Sequence, residues 1–285
     1  MLLMKKIHYI LACALYLFPN LSFAYNWQEE GERLTYEVKF AFITAGKAEI
    51  AYKPNIKENT YHLISRAWTN DGISALLNMA DRLTVEGKIE GESMPFESSL
   101  YEARLFENDY KAIKNTLFDH KLLQASYTNV KDGTPATVRD FPNQGRDLFS
   151  ALYFLRKSLE NLTVGSVHSL PVMDMTRNYT LNLKILGREK MKTPWGKKRV
   201  IKLQPVMKGL SEKRQKDDLF IWVTDDENRI PVRFQIRLAV GSFNAYLIKA
   251  DTYKSPSKAP ENLPETGPTL QKEKKISYVD RNLEN

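Results

Sequence analysis

Of the 285 residues, one is cysteine and four are histidine. The cysteine is Cys13, inside the apolar N-terminal stretch, so a chain processed after Ala24 would carry no thiol. That excludes an internal disulfide framework and a catalytic or metal-binding thiolate, and leaves burial as the source of stability. Beyond the leader, His62, His120 and His168 are widely separated, and nothing in their spacing asks for zinc. There is no Gly-x-Ser-x-Gly elbow, no glycine-rich phosphate loop and no His-Glu-x-x-His helix. Asp119-His120 with a distant serine is the nearest approach to a hydrolase, and such pairs are too common to specify one. We therefore expect no catalytic residue, no metal and no cofactor.

Long apolar runs are also missing, except at the start. Lys5 and Lys6 precede a mostly apolar stretch from Ile7 to Leu21, and Ser22-Phe23-Ala24 is a small-x-small cleavage site. The pattern predicts a signal peptide over residues 1–24 and an exported, periplasmic chain, with association with the outer membrane as a finer expectation. A retained membrane anchor is the weaker reading, because His8, Pro19 and Asn20 interrupt a run shorter than the ~20 residues that span a bilayer. Lipidation at Cys13 would leave an apolar core shorter than the ~7 to 15 residues of a signal h-region. Removing 24 of 285 residues leaves 261, enough for one large domain or two modest ones, and removing Lys5 and Lys6 lowers the net charge from +8 to +6. This charge is mixed with acids along the chain and carries no nucleic-acid module, so nucleic acid is not an expected partner.

What is present is mostly two-residue periodicity. Leu34, Tyr36, Val38 and Phe40 alternate with Thr35, Glu37 and Lys39, then Thr44-Ala45-Gly46 reads as a turn into Ala48, Ile50 and Tyr52. In that reading Gly46, and likewise Gly196 after Pro194, supplies a turn conformation. Further strands are expected over residues 61–68, 82–89, 96–104, 111–120 and 122–130, with a short helix starting near Ser74. In the second half, Tyr179, Leu181, Leu183 and Ile185 alternate with polar residues. Strands follow at 199–204, 219–223, 232–238 and 242–250. From residue 254 the chain is rich in proline and lysine without an apolar face, and a disordered tail over 254–285 is expected.

Residues 146–157 are the exception. Leu148, Ala151, Leu152 and Leu155 repeat at helical spacing, while Phe149, Tyr153 and Phe154 make the rest of the surface apolar too. Asp147 suits the N-cap, and Arg156 and Lys157 suit the C-terminal end of the helix dipole. The expected architecture is a mainly β domain over 25–253. A large curved antiparallel sheet or half-barrel would have two β halves joined by this buried helix, with one further short helix. A curved sheet hides its apolar face by packing on itself or by enclosing something. Phe149, Tyr153, Phe154, Tyr36 and Trp222 are the candidate ligand-facing residues. Asp225-Asp226 could bind a cation, although a polar turn is the simpler reading. Asp81-Arg82 reads as a surface ion pair and Arg146-Asp147 as a helix entrance.

Several blocks together resemble a known family. They are Gly31 to Tyr36, Thr44-Ala45-Gly46 with Ala48, Asp147-Leu148 to Arg156, Gly187-Arg188-Glu189 with Thr193 to Gly196, and Ile221 to Asp226 with Arg229 to Val232. Their order is similar to that of the bacterial envelope family catalogued as domain of unknown function 3108, over about residues 29–250. The resemblance implies a secreted protein of Gram-negative bacteria and supplies no reaction. The expected function is a non-enzymatic binding or carrier module for a lipid or lipoprotein ligand. The alternative is a structural or interaction protein holding an envelope partner, and a hydrolase is a remote third.

Overall fold

The computed structural model describes residues 26–70, 78–92, 94–130, 133, 135–158, 162–174, 177–208, 218–238 and 241–253. The expected cleavage site, the short helix near Ser74 and the expected tail lie outside them. The described chain begins with a four-residue helix, α1 (Trp27–Glu30), and the strands β1 (Glu32–Phe40), β2 (Ile43–Asn55), β3 (Thr60–Thr69) and β4 (Ala80–Glu90). The first half continues with β5 (Pro95–Glu107), β6 (Tyr110–Asp119), β7 (Gln124–Asn129) and β8 (Thr137–Asp140). Helix α2 (Leu148–Ser158) leads to β9 (Val167–Asp174), β10 (Arg177–Thr193), β11 (Gly196–Lys208), β12 (Asp218–Thr224), β13 (Pro231–Leu238) and β14 (Gly241–Asp251).

All fourteen strands belong to one sheet in the order β8-β7-β6-β5-β4-β3-β2-β1-β14-β13-β12-β11-β10-β9, antiparallel throughout. The expected curved antiparallel sheet with a central helix is what forms. Every chain-consecutive pair is a neighbour except β8 and β9, which are the two edges and are joined in sequence by α2. No β8–β9 ladder closes the sheet. Instead the segment before α2 bridges the seam: Arg146 pairs in parallel with Val172, Met173 N donates to Arg146 O at 2.9 Å, and Asn178 Nδ2 donates to Asp140 O at 2.7 Å. The helix begins at Leu148, where its apolar periodicity starts, two residues after the expected bound at 146, because Arg146 is held in a β-bridge. Asp147 caps it, its Oδ1 accepting from Phe149 N at 2.8 Å and Ser150 N at 3.1 Å.

Two strands escape the periodicity. β8 is four residues long and largely exposed, and β9 carries Pro171 with a broken alternation. The expected turn at Thr44-Ala45-Gly46 is a further correction. The chain reverses at Ala41-Phe42, with Ala41 at φ 51°, and residues 44–46 already lie in β2. Gly46 serves a close approach, since a Cβ there would stand 2.1 Å from Trp68 O on β3. Gly196 has φ 90° and does occupy a left-handed turn position.

The core sits between the concave face of the sheet and α2. Tyr153 is fully buried among Trp27, Tyr52 and Phe96, its ring centroid 5.5, 4.9 and 6.2 Å from theirs. Arg156 lies in the last turn of α2 as expected, and its side chain is buried. Its guanidinium forks onto the buried Glu32 carboxylate of β1, Nη1 reaching Oε1 and Nη2 reaching Oε2 at 3.1 Å. It also donates to Asn228 O at 3.1 Å and stacks 4.4 Å over Trp27. Tyr153 Oη completes the group by donating to Glu32 Oε1 at 2.8 Å.

Two measurements follow from this packing. Arg156→Met leaves a buried carboxylate without its fork and is expected to lower unfolding free energy by about 3–5 kcal/mol in urea titration. Arg156→Met with Glu32→Leu should recover much of that loss. Asp81 and Arg82, adjacent on β4, lie on opposite faces of the sheet and are not the expected ion pair. Burial, together with the neighbouring Glu107, pushes the Asp81 carboxyl up to about 6 although Phe106 N donates to it at 2.9 Å. The folded state therefore holds this proton more tightly than the unfolded chain does. The stability it contributes is fully present below about pH 4 and is lost as pH rises through about 6. Asp81→Asn should flatten that part of the stability–pH curve.

Candidate functional site

The strands β10 to β13 present alternate residues to α2, and their packing leaves a cavity between the two layers. Leu181 and Leu183 of β10, Leu203 and Met207 of β11, Leu219, Ile221 and Val223 of β12 and Phe234 of β13 form one wall of a cavity. Leu148, Phe149, Leu152 and Leu155 of α2 form the other, and the volume is about 590 Å³. Helical spacing places these four residues along one stripe of α2, while Tyr153 points to the aromatic core. Leu148, Leu152, Met207 and Leu219 are half-buried, so the cavity reaches the surface. Its polar lining includes Arg156 and Arg229 beside the β12–β13 turn, where Arg229 Nη1 donates to Arg156 O at 2.6 Å. An apolar chamber of this size with cationic side chains at one end matches small-molecule sites, which run to about 300–1,000 Å³.

The five residues expected to face a ligand are placed as follows. Phe149 lines the cavity. Tyr153 belongs to the dry core, and Phe154 is half-buried beneath the Arg146 guanidinium, 3.8 Å from its ring centroid. Tyr36 faces the interior but is buried, its ring 5.5 Å from Phe234 and its hydroxyl donating to Pro231 O at 2.9 Å. Burial, with Glu32 adding to it, holds the phenols of Tyr36 and Tyr153 far above the ordinary tyrosine range, so both remain neutral. Trp222 lies on the opposite face of the sheet from its neighbours Ile221 and Val223. There Lys202 and Arg233 flank its ring at 5.2 and 4.4 Å, and its indole N–H donates to Glu189 Oε1. The residues missed from the sequence are the leucines. Leu152, Leu183 and Leu203 carry the right periodicity, but nothing in it tells a wall from a packed core.

Asp225 and Asp226 build a turn. Asp226 Oδ1 accepts from Thr224 Oγ1 at 2.7 Å and from the backbone N–H groups of Asn228 and Arg229 at 3.1 Å. Asp225 lies 3.4 Å from both Arg188 and Arg199. Among the described residues no cluster of three or more potential ligands could hold a metal ion. Around the cap of α2, Asp147 Oδ2 accepts from Ser98 Oγ at 2.6 Å and from Ser150 Oγ, and Tyr61 Oη lies 2.6 Å from Ser150 Oγ. These groups are buried, and His120 turns its Nε2 to Ser98 O at 2.6 Å rather than to a hydroxyl. Ser166 Oγ stands 3.2 Å from His168 Nε2, but it is half-buried and donates to Thr163 O.

The family model described as Protein of unknown function (DUF3108) matches residues 35–248. The chain belongs to this family. No curated protein sequence matches it. Among solved structures, the chain resembles a beta-barrel-like protein of the domain of unknown function DUF1849 from Brucella abortus. That match has 10% identity and a TM-score of 0.58, over 79% of this chain and 99% of that one. The likeness is one of fold, and agrees with a sheet curled around a helix. A Bacteroides fragilis protein with a YmcC-like fold also matches at 10% identity, over 79% of this chain and 97% of that one, with a TM-score of 0.29.

The placement of Trp222 separates two outcomes in this DUF3108 chain. Trp222→Phe removes the indole N–H given to Glu189, and is expected to lower stability by about 1 kcal/mol in thermal or urea unfolding. Binding of an apolar fluorescent probe to the cavity should not change.

Proposed function

We propose that this chain is an exported envelope protein that binds an apolar ligand without turning it over. The ligand is the hydrocarbon part of a lipid or lipoprotein, and the site is the chamber between α2 and β10–β13. The observation that carries the reading is the chamber itself. Four side chains of α2 face it and so do those of four strands, and apolar surface exposed on both walls is costly unless something apolar covers it. Arg229, half-buried at one end of the chamber, would orient an amphiphile with its charged group toward the β12–β13 turn. The leader supports export: two lysines, an apolar core and the Ser22-Phe23-Ala24 site favour removal after Ala24 and release into the periplasm. Among the described residues no helix is long and apolar enough to cross a membrane.

The test begins with protein recovered from the cell envelope and analysed by native mass spectrometry, where a lipid adduct is expected. After delipidation the protein should bind an environment-sensitive apolar probe saturably, and fatty acid should displace it. Leu152→Trp and Leu219→Trp, which fill the chamber from opposite walls at half-buried positions, should each weaken probe binding about tenfold or more with little change in melting temperature. Absence of adduct together with absence of saturable probe binding would remove the reading.

A further inference from the structure

At the end of the sheet opposite the β12–β13 turn, a row of apolar side chains leaves the chamber. Leu219 of β12 lines the chamber and stands opposite Ile236 of β13, which stands opposite Phe243 of β14. Phe243 pairs with Phe40 of β1, and Phe40 with Ile43 of β2. Directly opposed residues of antiparallel strands share a face, so these five make a continuous apolar rim across five strands. The Phe40 and Phe243 rings lie 4.8 Å apart. Outward from them the rim is uncovered: Ile236 is 43% exposed, Ile43 52%, and Phe42 at the tip of the β1–β2 turn 89%. An exposed phenylalanine beside an exposed isoleucine on a projecting turn has no structural use, and contiguous patches of this kind mark surfaces that dock.

The same rim carries positive charge. Lys47 and Arg237 are exposed and stand opposite Glu37 and Asp218 on the neighbouring strands, and half-buried Lys39 pairs with Glu37 at 2.8 Å, which leaves the three cations in excess over the two acids. Aromatic and aliphatic tips between long cationic side chains suit the boundary of a bilayer, where hydrocarbon lies beneath anionic phosphates and lysine stems can span the two. We propose that this rim is the membrane-docking edge of the protein. Phe42 and Ile43 enter the headgroup–acyl boundary of an anionic bilayer, Lys47 and Arg237 meet its phosphates, and the row from Ile43 to Leu219 gives a hydrocarbon chain an apolar path into the chamber. The path rests on the carrier reading, whereas docking itself does not. A protein partner is less suited to the site, because the apolar row runs on into a chamber.

Vesicle co-sedimentation of the delipidated protein tests the docking. Binding is expected to phosphatidylcholine–phosphatidylglycerol vesicles and to be weaker to phosphatidylcholine alone. Phe42→Ser with Ile43→Ser should lower the partition about tenfold or more, because both side chains are exposed and their loss acts on docking rather than on folding. Lys47→Gln should reduce the preference for the anionic vesicles. Apolar probe binding by a Phe42→Ser single variant, whose side chain lies outside that row, should match the parent, so failure at the rim is read separately from failure of the chamber. A parent protein that sediments with neither vesicle, a double variant that sediments as the parent does, or a photo-crosslinker at position 42 that captures only protein in the envelope would each overturn the proposal.

Discussion

The burial of one ion pair constrains everything else in this fold. Glu32 opens the first strand and Arg156 lies in the last turn of α2, and both are removed from water. Two charges in so apolar a place are tolerable only when each hydrogen-bonding position is occupied, and the surroundings do that. Tyr153 gives its hydroxyl to the carboxylate, Asn228 offers its carbonyl to the guanidinium, and Trp27 closes over the top. The pair gains little net stability over an apolar replacement, but it permits few alternatives. It fixes the rotation of α2 about its axis, and with it which side chains enter the dry core and which face the cavity.

That rotation divides the helix. Tyr153 completes an aromatic cluster with Trp27, Tyr52 and Phe96, packed at ordinary ring separations. The stripe of Leu148, Phe149, Leu152 and Leu155 lines the chamber between the helix and the opposing strands. At the other end of the helix, Asp147 gathers two backbone N–H groups and two serine hydroxyls, while Arg146 is drawn into the seam between the edge strands. A helix pinned at both ends by buried charge can stand over an unfilled space without collapsing into it.

The strands with clean alternation were legible in the sequence because period two is a property of neighbours along the chain. Tyr179 to Ile185 and Leu34 to Phe40 needed nothing further. β8 and β9 were hidden because one is short and wet and the other carries a proline, and both owe their place to the seam. The reversal at Ala41-Phe42 was misplaced onto Gly46, since a glycine kept small for the approach of Trp68 O looks the same in sequence as one kept for a turn. The candidate site was harder. Aromatic residues drew attention for their size, yet Tyr153, Tyr36 and Trp222 found hydrogen-bond partners that fill their polar ends. Plain leucines form the chamber. Whether a leucine packs or lines depends on the distance between layers, which no local pattern encodes.

The pairing of β1 with β14 at the middle of the sheet has a consequence for biogenesis. The first half of the chain, once made, presents β1 as a bare edge until the final strand has been synthesised more than two hundred residues later. An early-arriving half would be liable to sticky self-association during that interval. Threading through a translocase in extended form would postpone the hazard to the moment of release, when both partners are present and the interior strand can be zipped in from either flank.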